Sequence, residues 1–324
     1  MLRTIGIYHR WWKTWGTLPV LPWVRGAALY RAGKFDSAEP CYREGLERHP
    51  YHPARFSARL DLAFCLFKSN KFAEAEEQLK YVTAHASFLR EGYIRLARLQ
   101  IWGGRPLEAA WTLRRASKEV NVDAEIAALF ILAVVENGGP AYLLKEAIAL
   151  STHLDDNLPE SPLLESARAR IEAFSGKPGR ARASFMKILS RSDAPIEAVV
   201  GLAEILVEEE EVDEARLILK RGMAMYPEYP RILSLVAQTY LKPGEHFNAD
   251  YARQLATNAC QNSGWTSPRE MHILAEAYYH LGDKIGALVI ASKAKQAGTR
   301  LLGAYRDSKD LDRLIESLST GTQA

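Results

Sequence analysis

Apolar residues along this chain recur in short blocks with helical spacing, and the blocks themselves return about every 34 residues. The first block reads Gly26-x2-Leu29-x3-Gly33-x-Phe35-x2-Ala38-x3-Tyr42-x7-Pro50. It returns as Ala63-x2-Leu66-x3-Asn70-x-Phe72-x2-Ala75-x3-Leu79, and again as Ala97-x6-Gly104-x4-Ala109-x3-Leu113. Later copies are Ala203-x2-Leu206-x8-Ala215-x3-Leu219-x7-Pro227 and Ala275-x2-Tyr278-x3-Gly282-x4-Ala287. A small residue, a large one three later, a turn and another small residue describe two helices packed closely around a tight corner. One such pair cannot bury its apolar face alone, so copies stack into a solenoid. The pattern therefore predicts an all-α chain with a shared surface and no assembled chemistry.

The boundaries fall at roughly 19–52, 56–89, 90–123, 124–161, 162–195, 196–229, 230–267 and 268–301, with start signals that agree. Asp123 precedes the helix expected from Ala124, and Ser161-Pro162 and Ser267-Pro268 each place a capping hydroxyl before a proline at the first helical position. The copies at 124–161 and 230–267 carry longer turns, at Gly138–Tyr142 and Lys242–Asp250. The small residues following them are Ala147 and Ala256. Leu311–Leu318 reads as a last amphipathic helix covering the final repeat, as solenoid ends require. Residues 1–22 form an aromatic, basic segment, 23–301 the repeat domain, and 302–324 the cap and tail.

These residues resemble the tetratricopeptide repeat family over nearly the whole chain. The resemblance implies a right-handed superhelix of about eight helix-turn-helix repeats. It also implies that the first helix of each repeat lines a concave groove. Residue by residue, that groove begins with Trp23 and Tyr30, then Phe64 and Phe67, then Arg98 and Trp102. It continues with Arg170, Glu204, Gln238, His272, Glu276 and Tyr279. The first half is aromatic with scattered cations and the second is polar. Aromatic and arginine side chains make interface hot spots, so the expected ligand is a peptide or helix of a partner protein. Some family members clamp a peptide's terminal carboxylates with Lys, Asn, Asn, Lys and Arg. The matching positions here are Trp23, Ala27, Asp61, Glu91 and Arg95, of which only Arg95 fits.

Composition changes this picture little: the 324 residues are 48% hydrophobic and 25% charged with a net charge of +3, too little charge to imply nucleic acid. Glu91, Glu197, Glu204, Glu208 and Glu276 on the expected groove argue against RNA as well. Cys41, Cys65 and Cys260 are few, odd in number and far apart, which fits reduced thiols in the cytoplasm. The chain has no run of 18 apolar residues, and Arg10 and Lys13 interrupt any signal-peptide core.

Candidate chemistry is sparse. His272, Glu276 and His280 share one helix face, but the histidines lie two turns of about 5.4 Å apart, and a polar groove stripe is the better reading than a metal site. His49-Pro50-Tyr51-His52-Pro53 reads as a surface turn, and the acidic run from Glu208 to Glu214 as a solvated corner. No phosphate loop, nucleophile elbow or HExxH motif is present, and no cofactor is expected.

In residues 1–22, Ile5, Tyr8, Trp12 and Trp15 form one stripe, with Arg3, Arg10 and Lys13 largely away from it. Trp11, Trp12 and Trp15 would cover the first repeat, or lie on an anionic membrane surface with the cations contributing about 1 kcal/mol each. The expected function is thus a non-enzymatic, cytoplasmic adaptor. The alternative is a bacterial scaffold held at the inner membrane face by residues 1–22, within an envelope or polysaccharide assembly complex. The pattern leaves partner identity and oligomeric state open.

Overall fold

The computed structural model describes residues 21–137, 141–153, 161–300 and 307–320. Among them the chain is an all-α solenoid with no strand. Eight helix pairs follow one another: α1 (Leu21–Arg31) with α2 (Phe35–Arg48), α3 (Arg55–Lys68) with α4 (Phe72–His85), α5 (Arg90–Trp102) with α6 (Pro106–Glu119), and α7 (Ala124–Asn137) with α8 (Ala141–His153). Then come α9 (Pro162–Phe174) with α10 (Pro178–Leu189), α11 (Ile196–Glu208) with α12 (Val212–Met225), α13 (Pro230–Leu241) with α14 (Ala249–Asn262), and α15 (Pro268–His280) with α16 (Lys284–Arg300). A last helix, α17 (Ser308–Thr320), follows. The readings made for residues 1–20 and for Gly138, Gly139 and Pro140 lie outside the described residues. Two compact units divide the chain, one through Leu96 and one from Ala97.

The motif acts through its small residues. Ala38, Ala75, Ala109, Ala181, Ala215, Ala252 and Ala287 each occupy the fourth position of their helix, and all are fully buried. A methyl group there lets neighbouring backbones approach closely. In α14 this register falls on Ala252, one turn before the expected Ala256, which is also fully buried. The longer Lys242–Asp250 turn sets the helix start at Ala249, and Asn248 caps it by accepting the Tyr251 amide at 2.9 Å. Asp123 caps α7 as expected, its carboxylate accepting the amides of Glu125 and Ile126 at 3.1 and 3.0 Å. Ser161 and Ser267 do precede prolines at the first turn, but neither hydroxyl caps its helix. The first half-turn is instead preset by the ring's fixed φ.

Among the described residues, six of the corners within repeats place one residue at φ between 58° and 80°, in the left-handed region. Gly33, Asn70, Gly104, Gly176 and Gly282 fill five of them. In the sixth, Glu210 adopts φ 61° with a full side chain. The left-handed conformation strains a Cβ by roughly 1–2 kcal/mol. Glu210→Gly should therefore stabilise the chain by roughly 0.5–1 kcal/mol, the extra flexibility of the unfolded glycine offsetting part of the gain. A thermal or urea melt of the variant measures it.

Candidate functional site

In the first unit an aromatic ladder runs along the corners of the first two repeats. Tyr30 meets Phe64 with ring centroids 5.3 Å apart, and Phe35 bridges them at 5.6 and 5.4 Å. Phe64 continues to Phe67 at 6.3 Å, and Phe67 to Phe72 at 5.7 Å. Tyr30, Phe64 and Phe67 come from the first helices of their pairs, while Phe35 and Phe72 open the second helices. Phe35 and Phe72 make their contacts edge to face, which suits the ring quadrupoles, and the Tyr30–Phe64 and Phe64–Phe67 contacts are tilted. It remains partly exposed along its length, with exposed Arg31 and Lys68 beside it. Trp23 takes a different place. It is buried, its indole packs over Gly45, and His49 and His52 meet its ring at 6.4 and 5.3 Å. The His49–Pro53 turn is thus a lid on Trp23.

Arg95, the single match to a carboxylate clamp, is engaged within its own unit. It donates to Glu91 at 2.6 Å and to the Leu60 carbonyl at 3.1 Å, and lies 3.8 Å from Asp61. Asp61 also accepts the Tyr42 hydroxyl at 3.1 Å.

The second unit gathers most of the remaining predicted residues around its interior. Arg170 is buried between Glu204 and Glu136, 2.5 Å from each, and both acids lie 34 residues away along the chain. Arg231 donates to Glu204 at 2.6 and 2.8 Å. Arg269 donates to Asp307 at 2.9 Å and to Glu136, and lies 3.4 Å from Glu204. Burial alone would raise the Glu204 carboxyl, but the guanidiniums of Arg170, Arg231 and Arg269 outweigh it and hold the group well below the usual carboxylate range. Three arginines and three acids neutralise one another in a space from which water is largely excluded.

This network ties α7, α9, α11, α13 and α15 together, and a second set of contacts draws the ends of the unit together. The Trp102 indole, half-buried, donates to the Asn262 carbonyl at 2.6 Å and meets the Tyr229 ring edge to face, with centroids 5.0 Å apart. Thr266 donates to the Gly103 carbonyl at 2.7 Å. Residues 160 and 163 positions apart are thereby bonded. The end of α5 meets the turn between α14 and α15, so the inner face of this unit packs against itself. Arg98 stays exposed at its edge, donating to Glu125 at 3.1 Å and 3.8 Å from Glu197.

A second hollow of about 300 Å³ adjoins the network and holds Gln238, His272, Glu276, Asp307 and Asp310. His272 is buried, which lowers its pKa, and it lies 3.5 Å from Glu276. His280 is not with them: it is exposed and meets Phe247 at 5.5 Å and Tyr279, itself exposed, at 5.8 Å. No three metal-ligating side chains converge among the described residues. The acidic corner is less solvated than its composition implies, because Arg182 donates to Glu209, Glu211 and Glu214 at 3.2, 2.8 and 2.6 Å. The three thiols are buried, and burial pushes Cys65 up to about 12. No described helix is long and apolar enough to cross a membrane.

Glu136, Tyr229, Glu270 and Asp307 escaped sequence reasoning. The long turn after α7 obscured the register that would have placed Glu136, while Arg170 and Glu204, opposite in sign at one repeat's spacing, were the visible signal.

Models of the tetratricopeptide repeat match residues 24–87, the first two helix pairs, and residues 175–239, from the fifth pair into the seventh. The chain belongs to the tetratricopeptide repeat family. No curated protein matches it. Similar solved structures include a tetratricopeptide repeat protein from Parabacteroides merdae (13% identity, 91% of this chain and 96% of that one covered, TM-score 0.38). The APC/C hetero-tetramer Cut9–Hcn1 is another (14% identity, 94% and 70% covered, TM-score 0.47), as is the human IFIT1 dimer with m7Gppp-AAAA (13%, 89% and 69%, TM-score 0.49). Tetratricopeptide repeats mediate protein–protein interaction, and the fold is typically a non-catalytic scaffold.

Two predictions follow from the interior of this tetratricopeptide protein. Arg170→Ala leaves Glu204 and Glu136 buried with one guanidinium fewer, and should cost about 3–5 kcal/mol in urea unfolding. Glu276 is raised to about 7, by burial first, opposed by Lys242 and reinforced by Asp307 and Asp310. The folded state then keeps a proton that the unfolded chain has already released, so this group removes stability as pH rises from the ordinary carboxylate range through 7. Glu276→Gln should melt higher than the parent at pH 8, with the gain shrinking at pH 5.

Proposed function

We propose that this protein is an adaptor that binds a partner peptide across the aromatic ladder of its first unit. The observation that carries the reading is the ladder itself. Five aromatic rings lie in one continuous row of edge-to-face and tilted contacts, and its members Tyr30, Phe64 and Phe67 remain partly exposed. Such rings are rigid, have few rotamers to lose and offer large contact area, which makes them anchors for an apolar side chain. Arg31 and Lys68 at the side favour acidic residues flanking that anchor.

The polar residues expected to extend the groove serve a different purpose in this reading. Arg170 and Glu204 are saturated by partners within the chain, so they hold the second unit together and leave recognition to the first.

Selection of a randomised peptide library on the full chain, followed by calorimetric titration of the enriched peptides, tests the assignment. The enriched sequences should carry an aromatic or large aliphatic residue beside acidic ones. Phe64→Asp should weaken them at least tenfold, about 1.4 kcal/mol, while the far-ultraviolet circular dichroism stays that of the parent. Lys68→Glu, which keeps all five rings and removes the cation lying 6.0 Å over Phe67, should weaken the acidic peptides. Equal binding by both variants would place recognition elsewhere on the chain.

A further inference from the structure

Beside the arginine network, the second unit lines a pocket of about 100 Å³ that opens in part to solvent. Its wall includes Trp102 and Tyr229, Leu132 and Val200, and the carboxylates of Glu197 and Glu270. The volume exceeds what one or two water molecules occupy.

The cavity's charges do not balance locally. Arg170, Arg231 and Arg269 also line it, but each guanidinium already holds Glu204, Glu136 or Asp307. Glu270, only 4% exposed, feels the charges of Arg231 and Arg269, yet its Oε2 has no hydrogen-bond partner among the described residues. Ser267, 1% exposed, presents an equally unpartnered hydroxyl to the same space. Ser267-Pro268-Arg269-Glu270 spells a helix capping box, a pattern in which the serine and glutamate side chains normally satisfy the first amides of the helix. Here the serine makes no such bond. An unpaired buried carboxylate oxygen costs far more than an exposed one, so a site that keeps it is built to receive a donor. Glu197 adds a second carboxylate, with Arg98 3.8 Å away as its nearest cation and that guanidinium shared with Glu125. Trp102 and Tyr229, crossed at 83°, supply an aromatic corner.

We infer that this cavity binds a small organic ammonium ion, with Glu270 and Glu197 as counter-ions and Trp102 and Tyr229 as its aromatic wall. Carboxylates accept the N–H donors in charge-assisted bonds, and aromatic faces attract the same cation through their quadrupoles. The Ser267 hydroxyl accepts a further donor. Arg170, Arg231 and Arg269 are each held by Glu204, Glu136 or Asp307, and with Glu197 and Glu270 the carboxylates around the pocket outnumber these three guanidiniums. The ammonium group has two sources, a free amine or a lysine side chain of a bound peptide, and both present the same chemistry.

Calorimetric titration of the full chain with n-butylammonium chloride tests the assignment, with sodium chloride at equal ionic strength as reference and a lysine-bearing hexapeptide as a second arm. We expect saturable binding of butylammonium that sodium does not reproduce, weakened at least tenfold in Glu270→Gln. Trp102→Phe, which keeps a ring, should weaken it less than Glu270→Gln does. Binding of the peptide but not butylammonium, lost in Glu270→Gln, would assign the ammonium to a partner's lysine. Heats no different from sodium chloride in both arms, or binding unchanged in Glu270→Gln, would overturn the inference and leave a hydrated cavity only. Phe64→Asp, which tests the adaptor reading, should leave ammonium binding intact, so the two proposals fail separately.

Discussion

A single helix pair in this chain has more apolar surface than it can cover, and everything else follows from that shortage. Each pair covers part of its face with its own partner helix and the rest with the next pair. The close approach requires a residue no larger than alanine at the crossing, which is why Ala38, Ala75, Ala109, Ala181, Ala215, Ala252 and Ala287 share one register and have no exposed surface. Solenoids built this way have no central core, so each repeat depends on its neighbours.

The second unit departs from that rule. Contacts between Trp102 and Asn262, Gly103 and Thr266, and Glu136 and Arg269 join repeats that are far apart in the chain. Interior charge is the physical consequence. An inner face that turns against itself takes its polar side chains out of water, and those side chains must then satisfy one another. The arginines and acids around Glu204 do so. Ion pairs of this kind add little net stability over apolar packing, yet losing one partner is costly, so they fix which arrangement of repeats is tolerated. Glu270 and Ser267 stand outside this settlement, and the cavity beside them is where the unit has unused polar capacity.

The two units thus divide the work in different physical terms. The first keeps aromatic rings half in water, the surface proposed to take a partner's apolar side chain. The second keeps charge out of water, where only a ligand of complementary charge and small size gains. The acidic corner shows the same economy at the surface: one guanidinium, Arg182, serves Glu209, Glu211 and Glu214 from the preceding repeat.

Sequence by itself determined the fold class, the number of helix pairs and where nearly every pair begins, because spacing of small and large residues is a local property that packing then obeys. The family resemblance it carries also implied Tyr30, Phe64, Arg170, Glu204 and His272 as inner-face residues. It did not determine which of them would stay open. Trp23 is buried because Gly45 leaves room for an indole and the His49–Pro53 turn folds over it, a match between residues with no shared period. Trp102 bonds to Asn262 because the curvature accumulated over several repeats brings them together, and no pairwise spacing encodes that sum. The helix pairs were legible because they are set within one repeat. The closed interior and its unpaired Glu270 were decided only by the tertiary structure, where small rotations add up.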